Sequence, residues 1–593
     1  MEKKILVRDV TLRDGQQSLF ATRMNQQQVD TVLPYFKESG FYALEVWGGA
    51  VPDSVMRYLH EDPWVRLEKI KAVIGDSSKL TALSRGRNLF GYNPYPDHVI
   101  EGFIRNSVES GIDIMRIFDA LNDIENMKAT IRFMKENNAL ADCAVCFTVD
   151  PKFSFKQRTH ALLHGKRLPH NLFNVSYFVK LAKKLEKLGA DIISIKDMAG
   201  LITPGLSAEL IKQLKNEVSV PINMHTHCTP GYGLASTLMS MMNGVDIIDT
   251  ALMNFAGGPA APSYEILQIF ADKLDIELGV NRQAVAEANR ELKKIRLELE
   301  EFDTYKIFPI DFDISNYSLS PEVNKLFDLA IEFAQSNKED RLIDVTQRIE
   351  MYFNFPEPDE DVKHAEIPGG MYTNMLAQLK QLQLDHLLPK VLQTVPIVRL
   401  VSGCPPLVTP TSQIVGVQAV NCVVDENQGL PHYTNNSIQF VNLVKGVYGK
   451  TPTPIDPDFR EKIAGVREET PYDTSTYKRP ENPRCDKYGG IRLAQNEKEE
   501  LLLDLFPSVA SNFLLNQREK HYIEVKHQIE EEKQRKRDEI RMQYERLTPE
   551  EKQKRLMEGL YGYPWTSNGK PIEKEEFNFF EREEEEEFPE TGV

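Results

Sequence analysis

Short apolar runs alternate with amphipathic helical stretches eight times in the first 275 or so residues, and this rhythm constrains the fold more than any other feature. The strand candidates are 5–12, 42–47, 88–92, 113–118, 142–149, 191–196, 220–226 and 245–251. Between them lie segments such as 175–188, with apolar residues at helical spacing. Eight βα units in this length predict a (β/α)8 TIM barrel, which typically needs roughly 250 residues. An open doubly wound sheet is the alternative, weakened because no GxGxxG follows the first strand.

Polar residues gather where the runs end. Asp14 and Gln17 follow strand 1, Glu45 and Trp47 lie on strand 2, and Arg116 and Asp119 end strand 4. Lys196 ends strand 6, and His225 and His227 end strand 7. The C-terminal rim of such a barrel is where active sites are built. His225 and His227 point to one face, because strand side chains alternate with period two. They form half of a site for a divalent metal, with Asp14 and Lys196 as candidates for the rest. A lysine joins only as a neutral amine or after conversion to an anion.

The 593 residues are too many for one core. We expect a barrel domain at 1–300, a mainly helical domain at 301–515 that completes the active site, and a charged helical extension at 516–593 ending in a disordered acidic tail. The net charge of −17 argues against nucleic-acid binding. No run is long enough for a membrane span, and no signal-peptide core opens the chain, so a cytoplasmic location is expected. The six cysteines are unpaired in spacing, as in a reducing compartment. Cys143 and Cys146 read as buried thiols of a strand. Residues 150–170 form a long, locally basic βα loop. The charged stretch 519–556 reads as helical, with Thr548 as an N-cap.

Six motifs occur in order: Thr11-Leu-Arg-Asp-Gly-Gln-Gln17, Met115-Arg-Ile-Phe-Asp-Ala-Leu-Asn122, Ser194-Ile-Lys-Asp-Met-Ala-Gly200, His225-Thr-His227, Ile367-Pro-Gly-Gly370 and Thr409-Pro-Thr-Ser412. Together they resemble the carboxyltransferase component of biotin-dependent enzymes, a group with the oxaloacetate decarboxylase α subunit, the pyruvate carboxylase carboxyltransferase domain and the keto-acid subunit of transcarboxylase. The resemblance covers roughly residues 3–515. It implies a metal (zinc, with manganese or cobalt as alternatives) held by Asp14, His225, His227 and a carbamylated Lys196. It implies Gln17 and Arg116 on the keto acid, pyruvate or oxaloacetate, and Thr409 as proton shuttle to biotin.

The sequence departs from that family in three places. Gly15-Gln16 stands where Ala-His is usual, the 150–170 stretch is an insertion, and the part after about 515 has no evident counterpart. No Ala-Met-Lys-Met is present, so biotin is expected on a separate carrier protein, with the 519–556 helix as its candidate dock. Biotin carboxylase or membrane decarboxylase subunits are the further partners implied, the latter offering membrane association, and a homodimer is expected. The rival readings are an aldolase-type lyase like 3-hydroxy-3-methylglutaryl-CoA lyase and a non-catalytic assembly subunit. The later members of the motif set, Lys196 and Thr409 above all, oppose both.

Overall fold

The structure, a computed structural model, describes residues 3–91, 93–163, 168–303 and 305–561. Eight parallel strands close into a barrel: β1 (Leu6–Asp9), β2 (Ala43–Gly48), β3 (Lys79–Ser84), β4 (Ile114–Phe118), β5 (Leu140–Cys146), β6 (Ile192–Asp197), β7 (Ile222–Thr226) and β8 (Ile247–Thr250). Closure is made by β1, whose Arg8 registers with Ala43 on one side and Asp249 on the other. The doubly wound alternative is therefore excluded. Helices cover the outside. In Val175–Lys187 the apolar spacing buries Val175, Phe178, Val179, Ala182 and Leu185, and the Asn174 side chain accepts from the Tyr177 amide to cap the first turn.

The third strand differs from the expectation at 88–92. The strand is Lys79–Ser84, and Gly86–Asn88 is a short turn of helix leading to Leu89 at φ +50°. Leu89 and Phe90 are apolar because they fill the space between barrel and helices, not because they pair in the sheet. Phe90 packs edge-on against Trp47 at 5.1 Å.

The barrel interior is stacked in layers taken from alternate strands. The first residues of β2, β4, β6 and β8, namely Ala43, Ile114, Ile192 and Ile247, form an apolar plug at the base. Two residues further along the same strands come Glu45, Arg116, Ser194 and Asp249, so the next layer is polar. Arg8 of β1 and Asp142 of β5 join it: Arg8 Nη1 lies 2.5 Å from Asp142 Oδ2, and Ser194 Oγ donates to Asp142 Oδ1 at 2.6 Å.

Glu45 and Trp47 are two apart yet serve opposite faces. The β2–β3 register shifts between them, which inserts one residue and turns the strand. Glu45 thus stays inside with Arg13 and Arg116, while Trp47 points out and stacks on Phe103 with centroids 5.9 Å apart and planes 7° from parallel.

After the helix Arg282–Glu298 the chain is mainly helical, with one short antiparallel pair, Arg484–Cys485 and Ile491–Arg492. A second core forms around Met371, Met375, Val391, Val395, Val398, Val415, Ala419 and Phe440. This core reaches the barrel, since Leu121 beyond β4 packs into it and Asn126 Nδ2 donates to Tyr448 O at 2.9 Å. Residues up to Arg479 with Asp504–Phe506 make one compact unit, and Pro480–Leu503 with the chain from Pro507 make a second. We propose that the chain is organised as a barrel domain at 1–300, a helical domain at 301–515 and an extension at 516–593.

The 150–170 stretch is not all loop: Phe155–Leu163 is helical. In the second unit a 39-residue helix, Pro507–Glu545, buries only Ala510, Phe513, Leu514 and Arg518. The helix Pro549–Tyr561 begins as expected. Thr548 N donates to Glu551 Oε2 at 2.8 Å, and the Thr548 hydroxyl accepts from Glu551 N at 3.4 Å. The acidic run 581–587 lies outside the described residues. Among the described residues, no helix is long and apolar enough to cross a membrane.

Candidate active site

Asp14, His225 and His227 converge above the polar layers, each offering a ligand atom within 4.8 Å of the others. The two histidine Nε2 atoms are 3.2 Å apart, and His227 Nε2 is 3.2 Å from Asp14 Oδ2. Asp14 Oδ2 is buried, and among the described residues its one polar neighbour at that atom is His227 Nε2. Burial pushes the Asp14 carboxyl up, but Arg13 and the imidazoles hold it well below the usual carboxylate range. Burial lowers His225 to about 4, so its ring is neutral near pH 7. Two imidazole nitrogens and an ionised carboxylate oxygen, brought to one point, fit a divalent cation.

Lys196 registers directly opposite His225 on the adjoining strand, so the two side chains share a face. Its Nζ lies 5.3 Å from the Phe118 ring centroid. Burial first, then the charge of Arg13, lowers its pKa, which favours a neutral amine. Among the described residues it makes no ion pair. A glycine makes room here: Gly200, at φ +69°, would put a Cβ 2.5 Å from the His227 carbonyl oxygen.

Arg116 does not end its strand. It lies mid-strand and fully buried, with Nη1 2.6 Å from Asp249 Oδ2 and 3.3 Å from Glu45 Oε2, and Nε 3.1 Å from Asp142 Oδ2. Its remaining nitrogen, Nη2, is buried without a hydrogen-bond partner among the described residues. Gln17 is half-buried; its carbonyl accepts from Ala50 N at 3.0 Å, and its amide NH2 has no partner among the described residues. Two donors, one of them charged, thus lack a partner among the described residues. Asp119 is a brace, accepting from the Leu121 and Asp123 amides and from Asn126.

Thr409 is exposed, at the end of a buried segment. Its neighbour Val408 packs with Leu83, Phe118, Ala144 and Cys146 at the ends of β3, β4 and β5, with Met198 beside them. The helical region therefore brings the segment that ends in Thr409 to the strand ends on the Lys196 side of the barrel.

Two contributors are not evident from sequence reasoning. Asp249 Oδ2 takes a hydrogen bond from His225 Nδ1 at 2.8 Å. Its one signal is a carboxylate at the inward-facing position of a strand that opens Ile-Ile. Arg13 pairs with Asp14 at 2.9 Å and with Glu45, and it stands inside the first of the six motifs without any mark of its own. Cys143 and Cys146 are buried free thiols, as expected.

A barrel whose mouth gathers three candidate cation ligands, with a buried lysine on the adjoining strand and a threonine-bearing helical cap, points to a class of enzyme, and comparison with known proteins defines it. Residues 171–287 match a family described as HMGL-like, and residues 362–553 match the conserved carboxylase domain. A pyruvate carboxylase subunit of Methanocaldococcus jannaschii is 36% identical over 511 residues, covering 85% of this chain and 77% of that protein. The methylmalonyl-CoA carboxyltransferase 5S subunit of Propionibacterium freudenreichii subsp. shermanii is 28% identical over 521 residues, covering 86% and 87%. The carboxyl transferase domain of Rhizobium etli pyruvate carboxylase, solved with pyruvate and biocytin, superposes with a TM-score of 0.69 at 26% identity, covering 88% of this chain and 78% of that one. This chain belongs to the carboxyltransferase family of biotin-dependent enzymes, of the pyruvate carboxylase type. The conserved carboxylase match also corrects the expectation that the part beyond about 515 lacks a family counterpart, since it runs to residue 553 and takes in the whole Pro507–Glu545 helix.

Proposed function

We propose that this chain moves a carboxyl group between biotin, borne on a separate carrier protein, and pyruvate or oxaloacetate. The observation that carries the reading is the convergence of Asp14, His225 and His227 with Lys196 of the adjoining strand, beneath the segment bearing Thr409. Asp14, His225, His227 and a carbamylated Lys196 would hold the metal, zinc in preference to manganese or cobalt. Bound there, it would supply positive charge where an enolate oxygen develops.

The chain's own groups account for the rest. A buried neutral Lys196 is the form that reacts with CO₂, and the carbamate replaces a cation that would repel a metal. Arg116 Nη2 and the Gln17 amide are donors free to take the oxygens of the keto acid. In carboxylation, the bond from biotin's ureido nitrogen to the carboxyl carbon breaks and the pyruvate methyl carbon gains that carboxyl. The methyl proton passes through the Thr409 hydroxyl to the vacated nitrogen. A hydroxyl both accepts and donates, so it ends the cycle unchanged. Decarboxylation of oxaloacetate runs the same steps backwards.

The lyase reading is not favoured: the HMGL-like match is confined to the barrel, while the carboxylase domain match covers the helical part that carries Thr409. Partner biotin carboxylase or membrane decarboxylase subunits, a homodimer, and carrier docking on the exposed helix beyond Glu519 belong to the same proposal. Unchanged carrier affinity after deletion of 519–593 would reject that dock.

The decisive assay is oxaloacetate decarboxylation stimulated by free biotin. Lys196→Ala and Thr409→Ala should each lower kcat by roughly 10²-fold or more. Wild-type rates in both variants would overturn the mechanism.

A further inference from the structure

Thr409 owes its place to a segment fastened at three points. Val408 is 1% exposed and wedged among the strand ends. On one side the Thr411 hydroxyl donates to Val408 O at 2.7 Å. On the other stands Arg399, in the helix Leu388–Val401 and only 2% exposed. Its Nε donates to Pro405 O at 2.9 Å, and its Nη2 donates to Thr148 Oγ1 at 2.7 Å. Thr148 follows β5, so a single guanidinium ties the root of the Thr409 segment to the barrel rim.

Arg399 makes no ion pair among the described residues. Burial pushes it down to about 10. Burial makes its charge costly; Asp150 and Glu366 offset that only from beyond ion-pair distance, and the Phe173 ring centroid lies 5.4 Å from its guanidinium carbon. What it offers is a planar fork whose donors reach two acceptors at once, one on each side of the junction. A lysine's single nitrogen cannot span both.

We propose that Arg399 is a positioning residue for the transfer step, clamping the Pro405–Thr409 segment to the end of β5 so that the Thr409 hydroxyl is held over the barrel mouth. The proposal rests on the reading of Thr409 as proton carrier. It differs from a purely structural brace in what it predicts for rate, substrate affinity and metal content. A small displacement of a reacting group costs rate steeply, while the metal ligands and keto-acid donors lie on other elements.

The test is a cycle of Arg399→Gln, Thr409→Ala and the double variant, each read as kcat and KM for free-biotin-stimulated oxaloacetate decarboxylation, bound metal per chain, and melting temperature. Arg399→Gln should lower kcat roughly tenfold to a hundredfold, with KM and metal content unchanged. In the Thr409→Ala background the same change should cost no more than about twofold, because the two residues act as a unit. Arg399→Lys should fall between wild type and Arg399→Gln. Additive losses in the double variant, or loss of metal in parallel with rate, would overturn the clamp. Should Arg399→Gln fail to fold, Thr148→Val decides: it removes one contact, and a folded Thr148→Val with the wild-type rate overturns the proposal. A fully active Thr409→Ala sinks the proton-carrier reading itself and the clamp with it. An inactive Thr409→Ala with additive Arg399 losses removes only the clamp.

Discussion

Asp249 Oδ2 sits 2.8 Å from His225 Nδ1, on the opposite edge of the ring from the nitrogen that faces His227. Burial pushes this carboxyl up, but Arg116 and the histidine hold it well below its usual range, so it is ionised and fixes the His225 tautomer with the Nε2 lone pair outward. The same oxygen is 2.6 Å from Arg116 Nη1, which couples the cation site to the donor proposed for the keto acid. Asp249→Asn should weaken divalent metal binding roughly 10–100-fold. Competition against a chromogenic chelator measures it, and an unchanged affinity would remove Asp249 from the site.

Gly200 offers a separate handle on His227. An alanine there would meet the His227 carbonyl at 2.5 Å and Pro230 Cδ at 2.8 Å, in a left-handed backbone conformation. Gly200→Ala should cost about 1–3 kcal/mol in urea unfolding and release metal. Gly189→Ala is the control, because φ there is +101° but nothing lies within 4 Å of the added carbon. It should lose stability and keep its metal. Equal metal loss in both would refute a contact at His227.

Glu265 gives the fold a pH dependence away from the site. It accepts from Met253 N at 3.1 Å and from the Ser263 hydroxyl at 2.7 Å, and burial raises its pKa from 4.5 to about 7. A carboxyl raised on folding contributes fully to stability below its unfolded pKa and loses that contribution as pH rises through the folded value. Stability from this group therefore drains between about pH 4.5 and about pH 7. Glu265→Gln keeps the acceptor for Met253, and the Ser263 hydroxyl can reverse to accept from the new amide. Its melting temperature should gain on wild type as pH climbs from about 5 to about 8. A constant difference across that range would show that the charge is not the cause.

The barrel is legible in the sequence because apolar runs alternate with helical stretches eight times, and the convergence of Asp14, His225 and His227 because the two histidines share a strand face and polar residues closing apolar runs lie on one rim. The third strand is not, because Leu89 and Phe90 are as apolar as any strand, while the true strand, Lys79–Ser84, carries Lys79, Thr81 and Ser84 among its six residues. Asp249 and Arg13 escape because their importance lies in pairings between different strands and loops of the barrel, which no local pattern records. The Phe155–Leu163 helix is hidden by basic residues that read as loop. Thr409 comes from family likeness alone. Nothing in the local pattern of residues 405–412 says that Val408 plugs a barrel far upstream in the chain.

The one-residue slip in β2 bears on how this chain tolerates change. A strand in strict alternation would commit positions 45 and 47 to the same environment, and either the carboxylate would be stranded among rings or the indole would crowd the cation. The slip uncouples them, so the reactive lining and the outer aromatic seam answer to separate selection. It also makes Val46 the residue the strand could lose: without it Glu45 and Trp47 would be consecutive, and plain alternation would keep the carboxylate inside and the indole outside.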